Sequence, residues 1–518
     1  MIRTLRNIAR LFSLARTLAH HDALFVLDEM DVTPSITFLA GFLPKRRTDG
    51  RVGQRLARAL NEAGPSFIKL GQMLSTRSDL LGEEMTADLS DLQDSLPPFS
   101  IAEARKAIHD EFSVDADDLF ETFDETPVAA ASIAQVHFAL TRDGREVAVK
   151  ILRPDIEDAF RRDLDLFFWI SGLIETLKPK WRRLKPMQSV ATLAETVRME
   201  MDLRFEAAAC AELGENFADD PTYMVPKVDW PLTGRRVLTT ERLSGIPIDD
   251  IDAIVAAGHD PKTVLEHASN AFFRQVFHDG FFHGDLHPGN MFVTPSGAIG
   301  VVDFGIMGRL SLDTRRHLGE MLLGFLNRDY ARVSQMHFEA GWVPASQSPD
   351  TFTQALRSIA DPILDKPQNE ISIARLLGQL FHVAETFEME VQPQLLLLQK
   401  TMLVSEGTGR ALYPEANMWF LARPLIEDWM RSALGPEARI RDALADGTEA
   451  LRRLPGLLVA LEAGAREWAE KGLRLHPDTV RALKEDRGQG PVSGINTRWL
   501  QPALLALIAV LLSLILLS

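Results

Sequence analysis

His283-Gly284-Asp285-Leu286-His287-Pro288-Gly289-Asn290, followed by Val301-Val302-Asp303-Phe304-Gly305, is the stretch on which the reading of this 518-residue chain turns. Asp285 is placed to take the proton of a substrate hydroxyl. Asn290, further along the same loop, can hold one Mg²⁺, and Asp303 can bridge Mg²⁺ to phosphate oxygens. Each piece alone is weak, since Asp-Phe-Gly arises by chance and His-Gly-Asp is an ordinary turn. Their order and separation together point to a chain that binds ATP and Mg²⁺.

Working outward, such a site needs a cation on the phosphates. Lys150 in Val147-Ala148-Val149-Lys150 lies on a half-buried strand just after the hairpin turn Asp143-Gly144. That lysine must be held by a carboxylate from a neighbouring helix, and Glu200, Asp202 and Glu206 are the candidates. The strand Val237 to Glu241 runs into a connector between lobes, which makes Glu241 and Leu243 candidate nucleotide contacts. His283 joins Asp285 and Lys150 among the catalytic candidates, bracing the Asp-Phe-Gly backbone from below. His283 and His287 are not read as a zinc pair, because His287-Pro288-Gly289 cannot continue a regular helix. His287 stands two residues after Asp285, where protein kinases carry a cation, and its neutral side chain weakens the electrostatic help given to a transferring phosphoryl group. The expected Gly-rich loop is also missing. Its place is taken by Ala129-Ala130-Ala131-Ser132, whose Cβ atoms limit backbone approach to a ligand and imply a different nucleotide pose.

These motifs resemble the ADCK/UbiB atypical kinases, a family linked to ubiquinone biosynthesis. The resemblance runs through Lys69-Leu70-Gly71-Gln72, Ala129 to Ser132, Val147 to Lys150, Glu200-Met201-Asp202, His283 to Asn290 and Asp303 to Gly305, with Lys400 to Gly407, Pro414 and Asn417 following. It covers roughly residues 55 to 420. It implies an α+β, protein-kinase-like two-lobed fold with a helical N-terminal extension and a helical C-terminal lobe. The extension, bearing Lys69 and Gln72 on one helix face, folds over the place where a peptide substrate otherwise lies. Lys69, Gln72, Glu200 and Asp202 then form a regulatory set in which Lys69 pairs with Glu200 or Asp202, leaving Glu206 to Lys150.

Composition sets the remaining bounds. The chain is 46% hydrophobic and 25% charged, the balance of a packed globular protein. A net charge of −16 argues against nucleic-acid binding. Residues 1 to 60 nevertheless hold ten basic against five acidic side chains. In Met1 to Leu24, Leu5, Ile8, Phe12 and Ala15 fall at helical spacing opposite Arg3, Arg6 and Arg10, which suits either a basic helix on an anionic membrane or a surface helix packed on the body. Cys210 is the only cysteine, so the body suits a reducing compartment, and no secretory h-region precedes it. Trp499 to Ser518 carries no charge at all. As a helix it spans about 30 Å, the thickness of a bilayer core, and Arg498 beside it marks the cytosolic side.

The expected organisation is therefore a helical extension over 1–98, an N-lobe over 99–243, a C-lobe over 244–487, a Gly-rich linker over 488–498 and a transmembrane helix over 499–518. The expected activity is that of an inner-membrane atypical kinase or ATPase, dependent on ATP and Mg²⁺, with its catalytic body in the cytosol. It supports ubiquinone biosynthesis by acting on lipid-like quinone precursors rather than on proteins. Membrane lipids, quinone precursors and other biosynthetic proteins are its expected partners, and a homodimer is compatible with this reading. Two alternatives stay open: a small-molecule phosphotransferase of the aminoglycoside or choline kinase type, and a nucleotide-sensing scaffold for a biosynthetic complex.

Overall fold

The computed structural model describes residues 2–23, 49–75, 83–90, 92, 96–177, 186–362, 379, 383–384, 386–389, 393–415 and 418–434. Residues Met1–Ala433 form one compact unit. The expected linker 488–498 and transmembrane run 499–518 lie outside the described residues, as does Asn417. Among the described residues, no helix is long and apolar enough to cross a membrane.

Four helices come first: α1 (Ile2–His20), α2 (Val52–Ala63), α3 (Pro65–Ser75) and α4 (Glu83–Ser90). Gly64 separates α2 from α3 at φ 111°, a backbone angle that a side chain disfavours, and Pro65 follows at the first helical position. The α1 helix docks on the body. Ala15, Leu18 and Ala19 are buried, while Arg6 and Arg10 pair with Asp165 and Asp163 at 2.6 and 2.8 Å. Ile8 and Phe12, from the expected apolar face, point outward at 49% and 55% exposure. The arginines therefore face the body rather than lying opposite to it. The side chains of Arg3 and Leu5 fall outside the description.

Next come α5 (Ile101–Phe112), started by the reciprocal cap of Ser100 and Glu103, and the short α6 (Ala116–Leu119). An antiparallel sheet follows, built from β1 (Phe120–Phe123), β2 (Ala129–Ala130), β3 (Ala134–Thr141), β4 (Glu146–Leu152) and β6 (Val237–Glu241) in the order β1-β3-β4-β6, with β2 on β3. Gly144 at φ 83° closes the β3–β4 hairpin. Strand alternation divides β4 cleanly. Val147, Val149 and Ile151 pack with Ile108, Phe120 and Phe123. Leu152, on the face that carries Lys150, packs with Leu60, Phe67, Phe167 and Val197.

The sequence pattern predicts a helix from Ser189 to Phe217, and the structure interrupts it. After α7 (Ile156–Leu177), α8 (Pro186–Glu200) stops and α9 (Leu203–Asn216) restarts. Asp202 is the cause, because its side chain accepts from the Arg204 amide as the N-cap of α9 and Leu203 N donates across to Arg235 O. The break places Glu200 at the end of one helix and Glu206 in the first turn of the next.

The remainder is mostly helical around short strands. A four-stranded sheet joins β5 (Tyr223–Met224), β10 (Ile299–Val301), β9 (Met291–Val293) and β7 (Ile246–Pro247), and β8 (Phe281–His283) pairs with β11 (Met307–Arg309). The helices are α10 (Ile251–Ala256), α11 (Pro261–Phe273), α12 (Leu312–Leu326), α13 (Tyr330–Glu339), α14 (Pro349–Ala360), α15 (Pro393–Leu412) and α16 (Met418–Leu434). Phe272, Phe273, Phe277, Phe282, Leu286, Val301 and Trp429 form the core beneath the loops that carry the polar residues.

Candidate functional site

Strand β4 directs Lys150 toward α9 and toward the turn that follows β10. Its Nζ lies 2.7 and 2.9 Å from the two Glu206 carboxylate oxygens and 3.0 Å from Asp303 Oδ1. Burial opposes the charge on Lys150, but Asp303 and Glu206 together outweigh it and raise its pKa above the ordinary lysine value. The same lysine holds Asp303 at about 2, below its ordinary 3.8, so this carboxylate is ionised at neutral pH. Glu206 moves the other way: burial pushes its pKa up, against the pull of Lys150. Asp303 adopts φ 64°, an uncommon left-handed conformation for a residue with a side chain, and such backbone strain recurs at functional sites.

Asp285 lies in the loop after β8. His283 is fully buried beneath it, with Nδ1 accepting from the Asp285 amide at 3.1 Å and Nε2 lying 3.3 Å from Val302 O. Burial lowers its pKa and keeps the ring neutral. Through these two contacts His283 ties the Asp285 loop to the chain leading into Asp303. Its own backbone N–H is held by Gln275 Oε1 at 2.9 Å, and Gln275 donates in turn to Tyr223 Oη at 3.1 Å. Gln275 sits in a π-helical turn, Arg274–Asp279, that widens the end of α11. Nothing in the sequence pattern distinguished it.

Asn290 Nδ2 donates to Asp285 O at 3.0 Å, and Val302 N donates to Asn290 O at 3.0 Å. These bonds hold the Asn290 side chain in the Asp285 loop and keep that loop beside the Asp303 turn. An ionised carboxylate and an amide oxygen are the hard oxygen donors that Mg²⁺ takes together with phosphate, so Asp303 and Asn290 fit that ion.

Lys69 on α3 pairs with Glu200 at 3.1 Å, and both side chains are nearly buried. Asp202, the other expected partner, instead binds Arg204 at 2.7 Å and caps α9. Gln72 is half-buried on the same helix as Lys69. In the alanine loop, Ala129 and Ala130 form β2, Ala131 N donates to Ala134 O and Ser132 is buried. Arg153 fastens this loop, donating to Ala131 O at 2.8 and 3.0 Å and to Pro97 O at 2.9 Å. Its position three residues after Lys150 is the only signal the sequence offered. Glu241 ends β6 at the surface and Leu243 is half-buried just beyond; among the described residues, no hydrogen bond joins either to the lysine cluster. A further lysine enters from α15, with Lys400 Nζ donating to Asp285 Oδ1 at 3.0 Å.

The ABC1 atypical kinase-like domain matches residues 91–337, and the UbiB helical domain matches residues 356–417. The chain is similar to a protein of Marinobacter nauticus named probable protein kinase UbiB, 39% identical over 95% of this chain and 88% of that one. An Aeromonas salmonicida protein of the same name is 42% identical over 80% of this chain and 78% of its own length. Among solved structures, a Mycobacterium tuberculosis protein in complex with erythromycin is similar at 25% identity and a TM-score of 0.52, covering 77% of this chain and 98% of that one.

Proposed function

Because the chain belongs to the ABC1/UbiB atypical kinase family, and so is a phosphotransferase-class enzyme of kinase-like fold associated with ubiquinone biosynthesis, we propose that it turns over Mg²⁺-ATP to handle lipid-like quinone precursors at a membrane. The observation that carries this reading is the convergence of Glu206 and Asp303 on Lys150, with Asp285 and Asn290 fixed beside them by His283 and Val302. Bound Mg²⁺-ATP would supply the phosphoryl group and much of the charge that balances it. Within the chain, Lys150 would receive phosphate oxygens, Asp303 and Asn290 would hold the ion, and Asp285 would accept the proton of the attacking hydroxyl or water.

Proteins are disfavoured as acceptors on this reading, and the placement of α3 supports it. Lys69 clasps that helix to Glu200 while Arg153 holds the 96–97 backbone against the alanine loop, so the extension is fastened where an extended peptide needs room. The uncharged run 499–518 supports attachment to the inner membrane with a cytosolic body. A second reading, phosphate transfer to a small soluble molecule, draws support from the similar protein solved with erythromycin.

The test is ATP turnover by the full-length chain in detergent or lipid, followed as ADP release. Asp303→Asn should abolish turnover and weaken Mg²⁺-dependent nucleotide binding. Hydrolysis and Mg²⁺-ATP affinity unchanged in that variant would overturn the assignment. Stimulation of turnover by phenolic lipids or vesicles, but not by soluble alcohols, favours the lipid reading over the second one.

A further inference from the structure

We propose that Lys400 is the missing cation of the catalytic loop: it rests on Asp285 between turnovers and moves to the phosphoryl group as that group is transferred. This inference rests on the phosphotransfer reading above and assigns a residue to it.

The loop itself provides no such charge. His287 occupies the position from which a cation normally assists, yet its Nδ1 accepts from Gly289 N at 3.1 Å and caps its own turn. Lys150 is already committed to Glu206 and Asp303. Glu206 and Asp303 thus already occupy the one strand lysine, and a phosphate brought there adds further negative charge.

Lys400 arrives from a different part of the chain. It sits in the middle of α15, a helix covered by the helical-domain match rather than by the kinase-like one. The neighbouring Thr401 is fully buried and donates to Gly284 O at 3.0 Å, the residue just before Asp285. A Cβ at Gly284 would come within 2.9 Å of Leu397 Cδ2 on α15 and 3.0 Å of Ile306 O, so α15 lies close against the loop at this glycine. The backbone that carries Lys400 is therefore fixed against the loop, while its four-carbon stem leaves the ammonium free to change partners.

The pair is also poorly placed for a structural role. Lys400 is 41% exposed and Asp285 34%, and so open an ion pair adds little stability. Its position against the acid–base residue has a chemical use instead. As Asp285 takes the proton of the attacking water, the water oxygen bonds to the terminal phosphorus and the bond to the ADP oxygen breaks, with ADP leaving on the electron pair. Lys400 keeps its protons throughout; releasing Asp285 frees that carboxylate as its own ammonium meets the phosphoryl oxygens.

The experiment measures steady-state ADP release and mant-ATP binding for the full-length wild type, Lys400→Met, Lys400→Arg and Lys400→Cys. Lys400→Met should lower kcat on the order of 10- to 100-fold, with KM and mant-ATP affinity little changed and the melting temperature retained. Lys400→Arg should keep part of the rate. Treating Lys400→Cys with 2-bromoethylamine rebuilds a lysine-like ammonium and should restore turnover, and the native Cys210 is buried, so the reagent is directed to the new thiol. Wild-type kcat in Lys400→Met overturns the inference, and so does a fall in nucleotide affinity that accounts for the whole loss. A folded Lys400→Cys that stays inactive after full aminoethylation overturns it as well. A wild-type chain that does not hydrolyse ATP overturns the phosphotransfer reading itself, whereas an active wild type matched by Lys400→Met removes only the role of Lys400.

Discussion

Two lysine–carboxylate pairs flank a single helix break, and they are built differently. Lys69 and Glu200 pair with side chains 11% and 8% exposed. Lys150 and Glu206 are similarly enclosed, at 15% and 9%, but Lys150 is shared with Asp303, whose side chain is 48% exposed. The first pair is enclosed and joins α3 to α8. The second has a surplus carboxylate on an open side, so an entering metal–phosphate unit can take over Asp303 and share Lys150 while Glu206 keeps its bonds to that lysine. An enclosed pair acts as a clasp, while a pair that shares its lysine with a solvent-facing carboxylate acts as a receptor.

The distinction is tested most severely at Lys150. Lys150→Met leaves Glu206 and Asp303 without their shared cation, and kcat for ATP turnover should fall by about 10²- to 10³-fold, read as ADP release at saturating Mg²⁺-ATP. Lys69→Met should act chiefly on stability. Removing one partner of a buried pair leaves a charge uncompensated, at a cost of about 3–5 kcal/mol, visible as a lower urea midpoint. The double variant Lys69→Met/Glu200→Met should regain much of that loss, because an apolar pair of similar size can replace a buried ion pair. The corresponding Lys150→Met/Glu206→Met variant should stay inactive. If the Lys69 double variant regains no stability, or if Lys69→Met abolishes turnover without lowering the midpoint, the clasp and the receptor are not separate devices.

Much of this arrangement could be read from the chain. Strand alternation placed Lys150 on one face of β4 and Val147, Val149 and Ile151 on the other, and loop spacing singled out Asp285, Asn290 and Asp303. The helix break was missed because hydrophobic periodicity runs through Met201 and Leu203 almost in phase; only the capping habit of aspartate pointed to Asp202. Its consequence, the assignment of Glu200 to one lysine and Glu206 to another, depends on where two helices are aimed, which spacing does not encode. The contacts of Arg153, Gln275 and Lys400 are hidden for a related reason, although Lys400 opens one of the runs that carry the family resemblance. Each acts through contacts distant in sequence, 22, 8 and 115 residues away respectively, and an isolated Arg, Gln or Lys carries no local signature. The exposed Ile8 and Phe12 show the opposite limit: periodicity found an apolar stripe on α1, but Asp163 and Asp165 decided which side of the helix meets the body.

Acidity provides the smallest and most selective probe, because two groups at the site should lose their contributions in separate windows. Asp303 is depressed in the fold from 3.8 to about 2. Its contribution to stability is present in full above about pH 3.8 and disappears as pH falls toward 2, where folded and unfolded states carry the same proton. Half-exposure of the side chain keeps this contribution modest. His283 is also depressed, by burial, so the unfolded chain binds its proton first as pH drops below the ordinary 6.5, and stability declines in that range. His137, buried, and His337, half-buried, are shifted in the same direction and add to the same limb. Urea midpoints measured from pH 7.5 to 3 should therefore show an upper decline below about 6.5 and a lower one below about 4. Asp303→Asn should flatten only the lower decline. If that variant instead flattens the upper limb, the open side of the receptor is coupled to the buried histidine, and the sharing of Lys150 by two carboxylates does not account for the charge on Asp303.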